Sequence, residues 1–182
     1  AIMTIYMPLR LLLQGFSWEQ IGIIFTVMLL PFVFLQYPLG VLADKRYGEK
    51  ELLLAGLFFS ALVTFSLGWV DSHVLWVWAA VLFLSRIGIA AIEVLKDSYF
   101  YKQITSEDID IIAFFRTTWP VANILGAAVS SGMLVFLPFQ SVFFLMAGVL
   151  LATFFLTLSL RDSKSERERI KALPSLEKTP KR

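Results

Sequence analysis

The sequence has no cysteine and only one histidine, His73, among its 182 residues. Without cysteine, a chain forms no disulfide and holds no zinc or iron–sulfur centre through thiolates. A single imidazole leaves almost no histidine chemistry, so we expect neither a metal site nor a bound cofactor. The sequence also lacks a nucleophile–base pair and a phosphate-binding loop. Catalytic residues are therefore not predicted, and an enzyme is disfavoured.

Charged side chains are scarce as well. They make up 16% of the chain, whereas a soluble domain carries roughly 25%. Hydrophobic residues make up 58% of the chain. They collect in runs of about twenty residues, the length at which an α-helix crosses the hydrocarbon core of a bilayer. The composition therefore predicts an integral membrane protein of the all-α class.

Six apolar stretches define the predicted helices. The first ends near Leu13 and is too short to cross a bilayer, and because the sequence starts without methionine we read it as the cut end of a longer span. The other five predicted spans are residues 20–42, 52–70, 74–100, 111–137 and 141–160. Residues 1–162 are thus predicted to form a polytopic bundle of six transmembrane helices, the first one truncated. Residues 163–182 are predicted to form a charged, solvated tail.

The basic residues between these spans fall on one side of the predicted membrane. They are Lys45, Arg46, Lys50, Lys102 and those of the tail. The turns at 14–19, 71–73 and 137–140 carry none. Because cytoplasmic loops are enriched in Lys and Arg, the basic side and the tail are predicted to be cytoplasmic, in a plasma (inner) membrane. Four tryptophans are expected to form an aromatic belt at the opposite interface: Trp18, Trp69, Trp76 and Trp78.

The fourth span carries ionisable side chains on one face. Arg86 is expected near the bilayer midplane, with Glu93 about 10 Å further along the helix. Arg86, Glu93 and Asp97 fall within about 40° of one another around the helix axis. Two charges inside a membrane cost roughly 5–7 kcal/mol, so this stripe should face a protein interior or a watery cavity. An arginine that can hold an anion, beside carboxylates that can exchange protons, suits a substrate or proton pathway.

The fifth span carries a second polar line, made of Arg116, Asn123 and Ser130 at every seventh residue. Two facing polar lines suit a substrate pathway or a proton relay. A structural alternative stays open, in which Arg86 and Glu93 form an internal ion pair that only locks helices together. Spans four and five, with the proline-containing second span, are predicted to line the interior, while the uncharged third and sixth spans shield it.

A polar loop joins the second and third spans and reads GVLADKRYGEK from Gly40 to Lys50. Without a Cβ, Gly40 permits close helix packing and Gly48 a tight turn. The order of a glycine, an aspartate, a basic pair, a second glycine and another basic residue resembles the cytoplasmic loop of the major facilitator superfamily. This resemblance implies a conformational-switch loop formed by Gly40, Asp44, Lys45, Arg46, Gly48 and Lys50.

The resemblance covers residues 1–162 and implies one six-helix half of a twelve-helix transporter, whose two halves rock about a midplane site. The implied partners are the lipid bilayer, the other six-helix half of the same chain and a small-molecule substrate, with no nucleic acid. The charged tail at the end of the sequence favours the C-terminal half. The run Ser85-Arg86-Ile87-Gly88 points the other way, because it resembles the fourth-helix arginine motif of N-terminal halves.

The leading interpretation is a secondary active transporter that moves a small solute by alternating access, with proton coupling through Glu93 left open. A non-transporting scaffold or receptor with the same fold is the alternative. A membrane-embedded enzyme that uses the same carboxylates for acid–base work is the weakest of the three. An internally paired stripe and a closed cavity would favour the scaffold.

Overall fold

The computed structural model describes residues 2–43, 48–104 and 109–160. Six α-helices lie in these ranges: α1 (Ile2–Leu13), α2 (Trp18–Leu42), α3 (Glu49–Leu67), α4 (Leu75–Gln103), α5 (Ile109–Phe136) and α6 (Ser141–Leu158). Helices α2 to α6 are long and apolar enough to cross a membrane, and α1 is a shorter apolar helix. The predicted all-α bundle with five full spans is confirmed. The predicted tail lies outside the described residues.

Local sequence explains where two of the helices begin. At the start of α2, the Gln20 amide donates to Ser17 Oγ at 3.3 Å and the Ser17 amide donates to Gln20 Oε1 at 2.9 Å. This reciprocal pair is a capping box, and it satisfies two amides at the helix end. Helix α3 begins directly after Gly48, whose φ of 76° lies in the left-handed region that glycine adopts without strain. This positive φ agrees with the need for a glycine predicted at position 48.

The bundle is organised around α4, which packs against α2 on one side and against α3 on the other. Helix α3 also packs against α6, while α5 makes only sparse contacts with α1 and α6. We call the end at which α3 begins and α4 finishes the basic end, and the end with the turns at 14–17 and 68–74 the opposite end. The larger apolar core lies toward the opposite end and includes Leu11, Ile24, Leu67, Trp78 and Phe143.

One of the predicted helix environments is wrong. Helix α3 was predicted to shield the bundle, but 44% of its apolar window is buried, because it lies between α4 and α6. Helix α5, predicted to line the interior, is only 6% buried over its apolar window, and it contributes Trp119, Ala122, Asn123 and Gly126 to the lining of a cavity. The sequence could not show the burial of α3, because an uncharged span satisfies lipid and protein surroundings equally well.

Close approach of α3 to α4 depends on glycine. A Cβ added at Gly88 would lie 2.2 Å from Ser60 Oγ and 2.9 Å from the backbone oxygen of Gly56. The backbone oxygen cannot rotate away as a side chain can, so the two helices would have to separate. Small residues at such crossings allow membrane helices to pack without a hydrophobic driving force.

We expect Gly88→Ala to destabilise the protein by about 1–3 kcal/mol, the usual cost of overpacking a tight contact. The measurement is thermal unfolding of the purified full-length protein. Gly132→Ala on α5 is the matched control, because an added Cβ there meets no atom within 4 Å. Equal melting temperatures for the two variants would contradict the proposed role of this crossing.

The opposite end holds a buried arginine that sequence reasoning missed. Arg10, in the last turn of α1, is 6% exposed, and its Nη2 donates to the Val70 carbonyl oxygen at 2.6 Å. Its guanidinium lies 5.3 Å from the ring centroid of Trp78 and 5.0 Å from that of Phe143. Trp78, predicted to join the interfacial belt, is instead fully buried beneath this cation, whereas the other three belt tryptophans are exposed as predicted.

Candidate functional site

A cavity of about 330 Å³ lies within the bundle. Its polar lining consists of Thr4, Thr64, Ser85, Arg86 and Asn123. Its apolar lining consists of Met3, Ile89, Trp119, Ala122, Gly126 and Met146. These residues come from α1, α3, α4, α5 and α6. Helix α2 contributes none of them, so the prediction that the second span lines the interior does not hold for this cavity.

Arg86 supplies the charge of the cavity. Its Nε is buried and has no hydrogen-bond partner in the part of the chain that the structure describes. Within those same residues, no carboxylate oxygen lies within 4.0 Å of its guanidinium nitrogens. The internal Arg86–Glu93 ion pair left open by the sequence is therefore absent from this structure. A charged group inside a membrane bundle is expensive to leave without a partner.

The position of Arg86 follows from how α4 is held. Next to it, Ser85 Oγ donates to the Leu82 carbonyl oxygen at 2.7 Å, so this hydroxyl is satisfied within its own helix. One face of α4 is fixed by the Gly88 contact with α3 described above. Arg86, two residues before Gly88, lies about 160° away from it around the helix axis, with Ile89 about one turn further along, and both line the cavity.

Asn123 brings an amide to the same cavity from α5. Its Nδ2 donates to the Trp119 carbonyl oxygen at 2.8 Å. An amide has two N–H donors and a carbonyl acceptor, so one donor and the acceptor remain for a bound molecule. Hydroxyl groups of Thr4 and Thr64 line the cavity as well. A guanidinium, an amide and hydroxyls can bind and orient a polar solute, and they include no nucleophile with an adjacent base.

The structure separates the remaining predicted pathway residues from this cavity. Glu93 is half-buried and lies beyond the cavity toward the basic end of α4. Asp97 accepts a hydrogen bond from Lys96 Nζ at 2.8 Å, and both side chains are largely exposed. Arg116 is exposed on α5 and does not line the cavity. Of the five predicted pathway residues, the cavity thus brings together Arg86 and Asn123.

Aromatic rings join α4 and α5 between this cavity and the basic end. The rings of Phe100 and Phe115 are stacked, with centroids 3.8 Å apart and planes 10° apart. Lys96 Nζ lies 5.4 Å from the Phe115 centroid on the same side. These rings therefore connect α4 and α5 at the basic end.

A tyrosine of α1, Tyr6, joins this helix to α5. The Tyr6 hydroxyl lies 2.5 Å from Ser131 Oγ and donates to the Ala127 carbonyl oxygen at 3.2 Å. This contact uses the small residues of α5, which leave room for the tyrosine ring. Ser130, the third member of the predicted polar line, is buried against the bundle and does not line the cavity.

The predicted switch loop is described only in part. Asp44, Lys45 and Arg46 lie outside the described residues, whereas Gly40, Gly48 and Lys50 lie within them. A Cβ added at Gly40 would meet nothing within 4 Å in the described structure, so the close packing predicted at this glycine is wrong for these helices.

A buried carboxylate beside this loop was missed. Glu49 is the first residue of α3, and its Oε1 accepts hydrogen bonds from Lys102 Nζ and, at 3.3 Å, from Ser98 Oγ. It ties the beginning of α3 to the last turns of α4. The sequence offers Glu49 and Glu51 in the same helical turn and gives no sign of which one faces α4.

Comparison with known families supplies the identification. A family model described as Major Facilitator Superfamily matches residues 1–181. The chain belongs to this superfamily. Comparisons with curated proteins and with solved structures gave no match. Members of the superfamily are membrane transporters rather than enzymes, and the apolar helices show an integral membrane protein. The described residues contain no group of three or more His, Asp and Glu side chains that could hold a metal ion.

Proposed function

We propose that this superfamily member is one six-helix half of a secondary active transporter, and that it moves a small solute by alternating access. The cavity that contains Arg86 and Asn123 is one wall of the solute site, and the other six-helix half supplies the facing wall. The observation that carries the proposal is a cavity within the bundle, lined by a cation without a counter-ion among the described residues. Rocking of two halves about such a midplane site gives alternating access.

The remaining parts of the proposal follow from the basic residues. Residues 1–162 form the membrane bundle, and residues 163–182 form a cytoplasmic tail at the plasma membrane. The basic end then faces the cytoplasm, as the distribution of Lys and Arg in loops indicates. The loop from Gly40 to Lys50 acts as the conformational switch. Glu49, near the end of this loop, binds Lys102 and so attaches the loop to α4.

Proton coupling through Glu93 is the finer part of the proposal. Glu93 lies between the cavity and the basic end and is half-buried, the surroundings in which a carboxylate can exchange protons during a cycle. We expect Glu93→Gln to abolish proton-driven accumulation in vesicles containing the full-length protein, while exchange of solute without a gradient continues. Glu19→Gln, an exposed carboxylate at the start of α2, is the matched control. Unchanged accumulation in Glu93→Gln would remove this residue from the mechanism.

The scaffold alternative receives less support from the site. A scaffold needs no cavity, and its buried charges would be paired to hold helices together. The cavity beside Arg86 is present, and the Arg86–Glu93 pair is not formed among the described residues. Both observations favour transport.

A further inference from the structure

The charges around the cavity are unbalanced. Arg86 brings a permanent positive charge, because a guanidinium does not lose its proton in proteins. The described residues that line the cavity include no aspartate or glutamate. The nearest acid along α4, Glu93, lies two helical turns toward the basic end and forms no ion pair with Arg86 within 4.0 Å. Among the described residues, the cavity lining therefore carries a net positive charge inside the bundle, where an unpaired charge is costly.

The neutral polar groups of the cavity also suit an anionic partner. Asn123 keeps an N–H donor free, and the hydroxyls of Thr4 and Thr64 can donate to an oxygen. A guanidinium binds carboxylate and phosphate groups through two parallel hydrogen bonds, which are shorter and stronger than hydrogen bonds between neutral groups. The rest of the lining is apolar and includes Met3, Ile89 and Met146. A bound molecule would thus place an anionic group at Arg86 and an apolar body against these side chains.

We propose that the substrate is a small organic anion whose carboxylate or phosphate group pairs with Arg86. This inference rests on the proposed transport function and adds the chemical class of its substrate. A cavity of about 330 Å³ is at the small end of the range for ligand pockets, so it suits a compact molecule. The phosphate of an anionic lipid carries the same chemistry, and the experiment must separate it from a dissolved anion.

The experiment measures the melting temperature of the full-length protein in vesicles of phosphatidylcholine alone and in vesicles that also contain phosphatidylglycerol. The probes are benzoate, succinate and glycerol 3-phosphate, each beside its neutral partner benzamide, succinamide or glycerol, with benzylamine as a cation. At a hundredfold excess over Kd, a bound anion should raise the melting temperature by on the order of 5 °C. The variants are Arg86→Gln and Arg86→Lys, with Lys96→Gln as the control that removes another positive charge from α4.

The inference is supported if at least one dissolved anion raises the melting temperature of the unmodified protein and of Lys96→Gln, while its neutral partner does not. Arg86→Gln should abolish this shift, and Arg86→Lys should weaken binding by about tenfold or more, because an ammonium cannot form the bidentate contact. Equal shifts with neutral or cationic probes, a shift retained in Arg86→Gln, or stabilisation by phosphatidylglycerol alone would overturn it. So would the absence of a shift with every anion.

This result is separable from the test of transport. Exposure of the cavity to both sides of the membrane in turn does not depend on the charge of the solute. Alternating exposure without anion binding would overturn the substrate class and leave the proposed function in place. Anion binding in a cavity that opens to one side only would support the substrate class and overturn the proposed alternating access.

Discussion

Replacing Arg86 by glutamine should lower kcat/KM for uptake of the stabilising organic anion by about 100-fold. Removing one partner of a buried, hydrogen-bonded charge pair costs roughly 2–5 kcal/mol, and each 1.4 kcal/mol is about tenfold in affinity. The protein without substrate should be at least as stable as before, because the change removes a half-buried charge whose buried Nε has no partner among the described residues. Initial rates of uptake into vesicles and the melting temperature of the empty protein measure the two effects.

This pair of readouts separates a binding role from a structural one. An arginine that only held helices together would lower the melting temperature when replaced, and uptake would fall because the protein unfolds. Lys96→Gln should leave both quantities near their original values, since Lys96 pairs with Asp97 on an exposed face. Uptake by Arg86→Gln that stays at its original level, or falls only as far as the folded fraction falls, would contradict the assignment of Arg86 to the solute site.

Replacing Glu49 by glutamine should destabilise the protein by about 3 kcal/mol, the cost typical of breaking a buried ion pair by removing one partner. Glu49 is buried at the start of α3 and accepts hydrogen bonds from Lys102 and Ser98 of α4. Its loss leaves the lysine without this carboxylate at the contact between the two helices. Thermal unfolding of the full-length protein measures the change.

Glu51→Gln is the matched control for Glu49→Gln. Both glutamates lie in the first turn of α3, so both interact with the helix dipole, but Glu51 is exposed. The difference between the two variants therefore isolates the contact with α4. If Glu51→Gln were as destabilising as Glu49→Gln, the helix terminus rather than the ion pair would account for the loss.

Hydrophobic run length was enough to predict the helices. The five predicted spans agree with α2 to α6 to within a few residues, because a bilayer demands about twenty apolar residues in each crossing helix. The cost of burying charge also pointed to Arg86, and its cavity is present in the structure. Asn123 was found through its spacing on α5, where a polar side chain recurs at every seventh residue.

The sequence could not show which residues face one another across helices. Glu93 and Asp97 share a face of α4 with Arg86, but the cavity ends before Glu93, and Asp97 pairs with its neighbour Lys96. Helical periodicity gives a direction around one axis and says nothing about where a cavity stops. Arg10 was missed for a related reason. Its partners are a carbonyl oxygen and aromatic rings that are distant in sequence, and none of them carries a charge by which the sequence could have revealed the contact.

The central claim is that the Arg86 cavity opens to each side of the membrane in turn, and labelling of a cysteine at Ala122 tests it most directly. The 182 residues contain no cysteine, so Ala122→Cys introduces a single thiol into the cavity lining of this half. Any cysteine elsewhere in the full-length protein is replaced first. Exposed thiols from His73→Cys and Gln103→Cys report the opposite end and the basic end. We expect a membrane-impermeant maleimide to label Ala122→Cys from both sides, while each control reacts from one side. Labelling of Ala122→Cys from one side only, with and without the panel anions, would contradict the account.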